Sequence, residues 1–304
     1  MLGTRLKTGI AMAVALVVVL ALDEKTAPWF WLWLVVAVVV TTLSSLEVVG
    51  LLDQTSVRPS RGAVVGGVLA LVTANWAPHL APYLQALPRY ADRLPWSPLS
   101  PVDALAWPML AFVGVLMATF VAQSLRFEQP GTTMATIAGT TLAVAYIGLL
   151  GSFMIQMRWL PGAYHGAIAL ATLFATAKGA DTGAYTVGRI MGRRKLWPKL
   201  SPNKTVEGAV GGLFFGVAGA LAVTAVARFV LKIPAMSWPA AVGFGLVVGT
   251  AAQLGDLMES MIKRDCARKD ASAAVPGFGG VLDVIDSALF AGPVAFWYWL
   301  LFAV

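Results

Sequence analysis

Apolar stretches long enough to cross a bilayer recur along the chain, at about 8–22, 28–52, 62–76, 103–123, 133–156, 164–178, 208–231, 238–255 and 286–304. A hydrocarbon core takes roughly 20 predominantly apolar residues to span as a helix. The pattern therefore predicts an all-α polytopic integral membrane protein with about nine transmembrane helices. Composition excludes the soluble alternative: 58% of residues are hydrophobic and 12% charged, where a soluble domain carries about a quarter charged residues. The first stretch follows Arg5 and Lys7 like a signal-peptide core, but the second follows almost at once, so an uncleaved first helix is expected. No internal repeat emerges.

The net charge of +7 reads as topology rather than nucleic-acid binding, because Lys and Arg accumulate in cytoplasmic loops. With the N-terminus inside, sixteen of the 22 basic residues fall on the inner side and six on the outer. This places the segments 179–207 and 256–285 together on the cytoplasmic face, where they can share a site. The Pro- and Trp-rich segment 76–101 is then an outer interfacial loop. Cys266 is the only cysteine, which excludes an intrachain disulfide and a cysteine metal cluster and leaves packing as its expected role.

Eight of the fifteen acids lie beyond position 180: Asp181, Glu207, Asp256, Glu259, Asp265, Asp270, Asp283 and Asp286. Ionised groups beside apolar spans are costly unless paired or solvated. Solvation of helix ends is the plain explanation; a functional cluster is the sharper one. Asp256 closes the eighth expected span, and Asp283 and Asp286 open the ninth with i, i+3 spacing, on one helix face. Carboxylate oxygens suit a hard cation such as Mg²⁺, which usually brings a phosphate ligand with it.

Two further stretches suit phosphate. "PGFGG" at 276–280 is a glycine turn before a helix, where backbone amides can approach an anion. In "DTGAYTVGRIMGRRKLWPKLSPNKTVEGAVGG", from Asp181 to Gly212, the side chains of Lys199, Ser201, Asn203, Lys204 and Thr205 can donate to phosphates. The spacing of a P-loop is absent, and a basic loop that attracts anionic lipid head groups reads equally well from these residues alone. His79 and His165 fall on the outer side and are not catalytic candidates.

The spaced residues Ser260, Lys263, Arg264, Lys269, Asp270, Pro276, Gly277, Gly279, Gly280, Asp283 and Asp286 resemble the C-terminal signature of the phosphatidate cytidylyltransferases, or CDP-diacylglycerol synthases. "DTGAYTVGR" and "KLSPNKTVEGAVGG" look like that family's other characteristic stretch. The resemblance runs from about Lys178 to Ser287, with two departures: Phe278 stands at the family's His and Val284 at its Arg. It implies one membrane domain over 1–304, with helices of low motif content in 1–160, a catalytic cytoplasmic-face region in 178–287 and a last transmembrane helix in 286–304.

The activity implied is transfer of CMP from CTP to phosphatidic acid, with Mg²⁺ as cofactor, a second metal ion as an option, and a homodimer as the assembly. The resemblance further implies metal ligation by Asp256, Asp283 and Asp286, with Asp181 as a fourth candidate. Lys204, Lys263 and Arg264 become phosphate clamps; Lys199, Ser201, Asn203, Thr205, Glu207, Lys269, Gly279 and Gly280 become substrate contacts. Two rivals are a polyprenol- or phytol-kinase-like enzyme, which would transfer the γ-phosphoryl group of CTP, and a transporter of anionic solutes. A transporter's carboxylates would sit near the midplane in two related halves, whereas these gather in one half of the chain.

Overall fold

Each of the expected apolar stretches is helical in the computed structural model, which describes residues 2–80, 100–162 and 164–303. The helices are α1 (Leu2–Asp23), α2 (Trp31–Leu52), α3 (Arg61–Ala74), α4 (Ala106–Leu125), α5 (Thr133–Val144, continued through a π turn to Gln156), α6 (His165–Met191), α7 (Val206–Ala225), α8 (Trp238–Asp265) and α9 (Leu282–Phe302). Seven stretches are long and apolar enough to cross a membrane among the described residues: Trp31–Leu52, Arg61–Leu80, Pro101–Leu125, Thr133–Trp159, Val206–Val230, Trp238–Asp265 and Leu282–Phe302. The chain is an all-α, multi-pass membrane protein. The other two expected spans correspond to α1 and α6, and α6 carries Lys178, Asp181 and Arg189 among its 27 residues. Most of the expected outer loop, from 81 to 99, lies outside the described residues.

The helices near the site run further than the hydropathy pattern suggests. α6 continues through 179–191, expected as loop, because its polar residues find partners along the helix: Lys178 pairs with Asp181 at 3.0 Å, and Arg189 donates to the Tyr185 hydroxyl at 3.1 Å. α8 likewise continues ten residues past 255 to Asp265. The rest of the basic loop is a small antiparallel hairpin, β1 (Lys195–Trp197) and β2 (Ser201–Thr205), with Lys195 opposite Thr205 and Trp197 opposite Ser201.

The chain forms two compact units, residues 1–156 with 274–282, and residues 157–273 with 283–304. In the first unit Val64, Val68, Leu71 and Val72 of α3 are fully buried, so α3 is its core helix. A neutral polar network lies at the end of α3. Asn75 donates to Ser152 Oγ at 3.0 Å, Gln156 donates to the Asn75 carbonyl at 2.9 Å, and the His79 ring lies 3.2 Å from Gln156 Oε1. Asn75, Ser152 and Gln156 have no exposure, so these bonds replace water that the interior lacks.

The second unit is built on close helix crossings. A Cβ at Gly183 of α6 would lie 2.6 Å from the Gly211 carbonyl of α7, so α6 and α7 meet backbone to backbone. At Gly255 of α8 a Cβ would lie 2.6 Å from Phe290 Cβ and 3.0 Å from the Asp286 carbonyl of α9. The glycine thus lets α8 and α9 approach beside Asp256 and Asp286.

Candidate active site

In the second unit, Asp256 and Glu259 sit three residues apart on α8 and share a face. The α8–α9 crossing at Gly255 brings Asp286 to them. One carboxylate oxygen from each of Asp256, Glu259 and Asp286 lies within 4.8 Å of the others, the one acidic cluster among the described residues able to hold a metal ion. Glu259 is wholly buried; its Oε2 pairs with Lys263 Nζ at 2.5 Å, while Oε1 has no hydrogen-bond partner. A buried carboxylate oxygen left unpartnered is costly. A divalent cation is the ligand that such a convergence of oxygens fits.

Three lysines of the unit pair with these and neighbouring acids. Lys204, next to the last residue of β2, lies 2.8 Å from Asp256 Oδ2, with its Nζ buried beside that carboxylate. Lys263 bridges Glu259 and Asp283 at 2.5 Å each. Lys178 donates to Asp181 at 3.0 Å and to Ser287 Oγ at 3.2 Å, and Ser287 Oγ donates to Asp181 at 3.3 Å. Asp181, Asp256, Glu259, Asp283 and Asp286 therefore face Lys178, Lys204 and Lys263. Five carboxyl groups thus gather around three ammonium groups, an excess of acids of the kind that a divalent cation takes up.

The two aspartates at the start of α9 have different surroundings. Asp286 belongs to the acidic cluster. Asp283 accepts from Lys263 at 2.5 Å and from the Ala271 amide at 3.0 Å, which ties the loop after α8 to α9. Around the hairpin, Thr205 caps α7 by accepting from the Gly208 amide at 3.1 Å, and Glu207 accepts from the Arg193 and Arg194 amides at 3.0 and 3.1 Å. These two residues fix the hairpin that carries Lys204. Ser201 is half-buried; Lys199 and Asn203 are exposed. Arg264 is exposed and donates to the Arg268 carbonyl at 3.0 Å, and Lys269 is exposed. Cys266 is 4% exposed, and burial, aided by neighbouring Asp265, pushes its thiol above the ordinary range, as suits a packed, unreactive sulfur.

The glycine turn belongs to the first unit. Gly277 and Gly279 adopt φ of 86° and 109°, which glycine takes without strain. The Phe278 ring lies 3.5 Å from where a Cβ would stand on Gly9 of α1, an apolar contact for the residue that departs from the signature. The amides of Val281 and Leu282, following the turn, donate to Glu47 Oε1 and Oε2 at 2.9 and 2.7 Å. Sequence reasoning named Glu259 among the clustered acids but gave a site role to none of Glu259, Lys178, Ser287 and Glu47. For Glu259 a signal was present, since Asp256, Glu259 and Lys263 recur at i, i+3 and i+7 on one helix face.

The Cytidylyltransferase family model matches residues 3–302, and the chain belongs to that family. It is 37% identical over 173 residues to the phosphatidate cytidylyltransferase of Bacillus subtilis, covering 56% of this chain and 61% of that protein's length, just under two thirds. It is 34% identical over 208 residues to the enzyme of that name from Staphylococcus aureus, covering 68% of this chain and 72% of that one. With the enzyme of that name from Synechocystis sp. the identity is 32% over 207 residues, 60% of this chain and 69% of that one.

Proposed function

We propose that the chain is a phosphatidate cytidylyltransferase, which joins phosphatidic acid to the CMP part of CTP and releases pyrophosphate. The observation that carries the reading is the cluster of Asp256, Glu259 and Asp286, with an unpartnered buried oxygen on Glu259, set among three lysines. In the reaction, an oxygen of the lipid phosphate forms a bond to the α-phosphorus of CTP. The bond from that phosphorus to the β-phosphate bridging oxygen breaks, and its electron pair leaves with pyrophosphate. The lipid phosphate is already an anion, so positioning and charge neutralisation carry most of the work.

Asp256, Glu259 and Asp286 would hold Mg²⁺, whose charge would offset that gathered on the phosphate oxygens. Lys204, its Nζ held against Asp256, would turn to the phosphates once a cation takes up that carboxylate. Lys263 orients Glu259 and holds Asp283, which also accepts from the Ala271 amide. Lys178 and Ser287 orient Asp181 beside the cluster. Glu207 and Thr205 hold the hairpin in place, and Ser201, Asn203 and Lys199 extend the donor surface along it.

The sixteen-to-six division of basic residues supports a site opening on the cytoplasmic face. The homodimer implied by the resemblance belongs to the same proposal. One experiment tests these points. Purified protein in vesicles of each orientation is given phosphatidic acid, Mg²⁺ and CTP labelled at either the α- or the γ-phosphate, and the assayed particle is sized in detergent. The expected result is α-label in lipid, γ-label in pyrophosphate, activity only where the hairpin side meets the impermeant CTP, and a two-chain particle. Transfer of γ-label to lipid would replace this reading with that of a lipid kinase.

A further inference from the structure

An ionisable residue inside a membrane span invites a functional explanation, and Glu47 of α2 lies within the span Trp31–Leu52. Its carboxylate is spent on backbone. Oε1 accepts from the Val281 amide at 2.9 Å and Oε2 from the Leu282 amide at 2.7 Å, across 234 and 235 residues of sequence. Leu282 is the first residue of α9. The first amides of a helix have no partner within the helix, and an anion there also meets the positive end of the helix dipole. Glu47 therefore serves as an N-terminal cap supplied from a distant helix.

A second observation shows that the chain is shaped for this contact. Gly280 is buried against the same carboxylate: a Cβ there would lie 2.5 Å from Glu47 Oε2 and 2.7 Å from its Cδ. No side chain fits without moving the acid away from the amides. The last glycine of "PGFGG" is thus explained by the approach of Glu47.

We infer that Glu47 is a positioning residue for Asp286: it fixes the first turn of α9, the helix on which Asp286 lies one turn further along. The effect travels through the backbone of α9, whose first amide Glu47 holds. The inference rests on the metal reading of Asp256, Glu259 and Asp286. Groups that orient metal ligands typically change affinity 10- to 100-fold when lost.

The test measures Mn²⁺ binding by electron paramagnetic resonance on the full-length protein in detergent, with thermal unfolding and CDP-lipid formation measured on the same samples. Glu47→Ala removes both acceptors. Glu47→Gln keeps the shape and one acceptor and serves as the variant most able to fold. The expected result is Mn²⁺ affinity about tenfold weaker in Glu47→Ala, with Glu47→Gln between it and the unmutated protein, while both variants remain folded at the assay temperature. Affinity within twofold of the unmutated protein in the folded variants would overturn the inference. So would failure of both variants to fold, which would make Glu47 a requirement of the fold itself, or an unmutated protein that binds no Mn²⁺. If Mn²⁺ binding weakens as expected but the unmutated protein forms no CDP-lipid, the positioning role stands and the cytidylyltransferase reading falls.

Discussion

The two units face the same difficulty, polar groups in an interior that excludes water, and meet it with different chemistry. The first closes neutral groups on one another: Asn75, Ser152, Gln156 and His79 form a chain of hydrogen bonds. The second gathers charge: Lys178, Lys204 and Lys263 pair with an excess of carboxylates, and one buried oxygen of Glu259 remains without a hydrogen bond. The neutral network also leaves one buried acceptor, Asn75 Oδ1, without a partner, but it carries no charge for an ion to answer. A charged network with a surplus is incomplete, and what it lacks defines its ligand.

The largest effect expected from this contrast is at Asp286. Asp286→Asn keeps the shape of the side chain and removes its charge, so turnover should fall about 100-fold or more, about 2.7 kcal/mol of barrier, with a higher Mg²⁺ requirement. Asp283→Asn should act differently, because its partners are Lys263 and the Ala271 amide. It should lower thermal stability while leaving the Mg²⁺ dependence near that of the unmutated protein. Rates of CDP-lipid formation across a Mg²⁺ titration check both, and matching profiles for the two variants would remove the distinction between them.

A smaller effect is expected at Phe278, which rests against Gly9 in the first unit. Phe278→His places a titratable ring there. If charge neutralisation carries the reaction, turnover should change by about tenfold or less, about 1.4 kcal/mol. An inactive parent beside an active Phe278→His variant would show that the ring supplies a missing acid or base. The smallest effect is expected at Gln156. Gln156→Leu breaks the bonds to Asn75 and His79 and should cost about 1 kcal/mol of stability, as interhelical hydrogen bonds in membranes do, with the saturating rate unchanged. A large loss of rate with normal stability would erase the contrast between the units.

The helices were legible in the sequence because lipid demands apolar runs, and every expected stretch is helical. Their ends were not. α6 and α8 continue into polar sequence because Lys178 with Asp181, and Glu259 with Lys263, pair along the helix, and such pairing lowers hydropathy without ending the helix. Asp256 and Asp286 stood out beside apolar runs, and the structure brings them together with Glu259. The partners of Asp283 and the two amides held by Glu47 depend on residues far apart in the chain, which no local pattern reveals. The strands of the hairpin are only three and five residues long, too short for alternation to show.

The length of α8 sets a depth. Its 28 residues rise about 42 Å, whereas the hydrocarbon of a bilayer is about 30 Å thick. Counted from Trp238, Asp256 and Glu259 lie about 27 and 32 Å along the axis, one hydrocarbon thickness from where the helix starts. Were Trp238 at the opposite face of the hydrocarbon, this would be the level at which a phospholipid carries its own phosphate. The proposed lipid substrate could then react at the height where it already floats, with its acyl chains still among their neighbours. Lifting even five methylenes of one chain into water would cost about 4 kcal/mol, a barrier that a helix of this length spares the reaction.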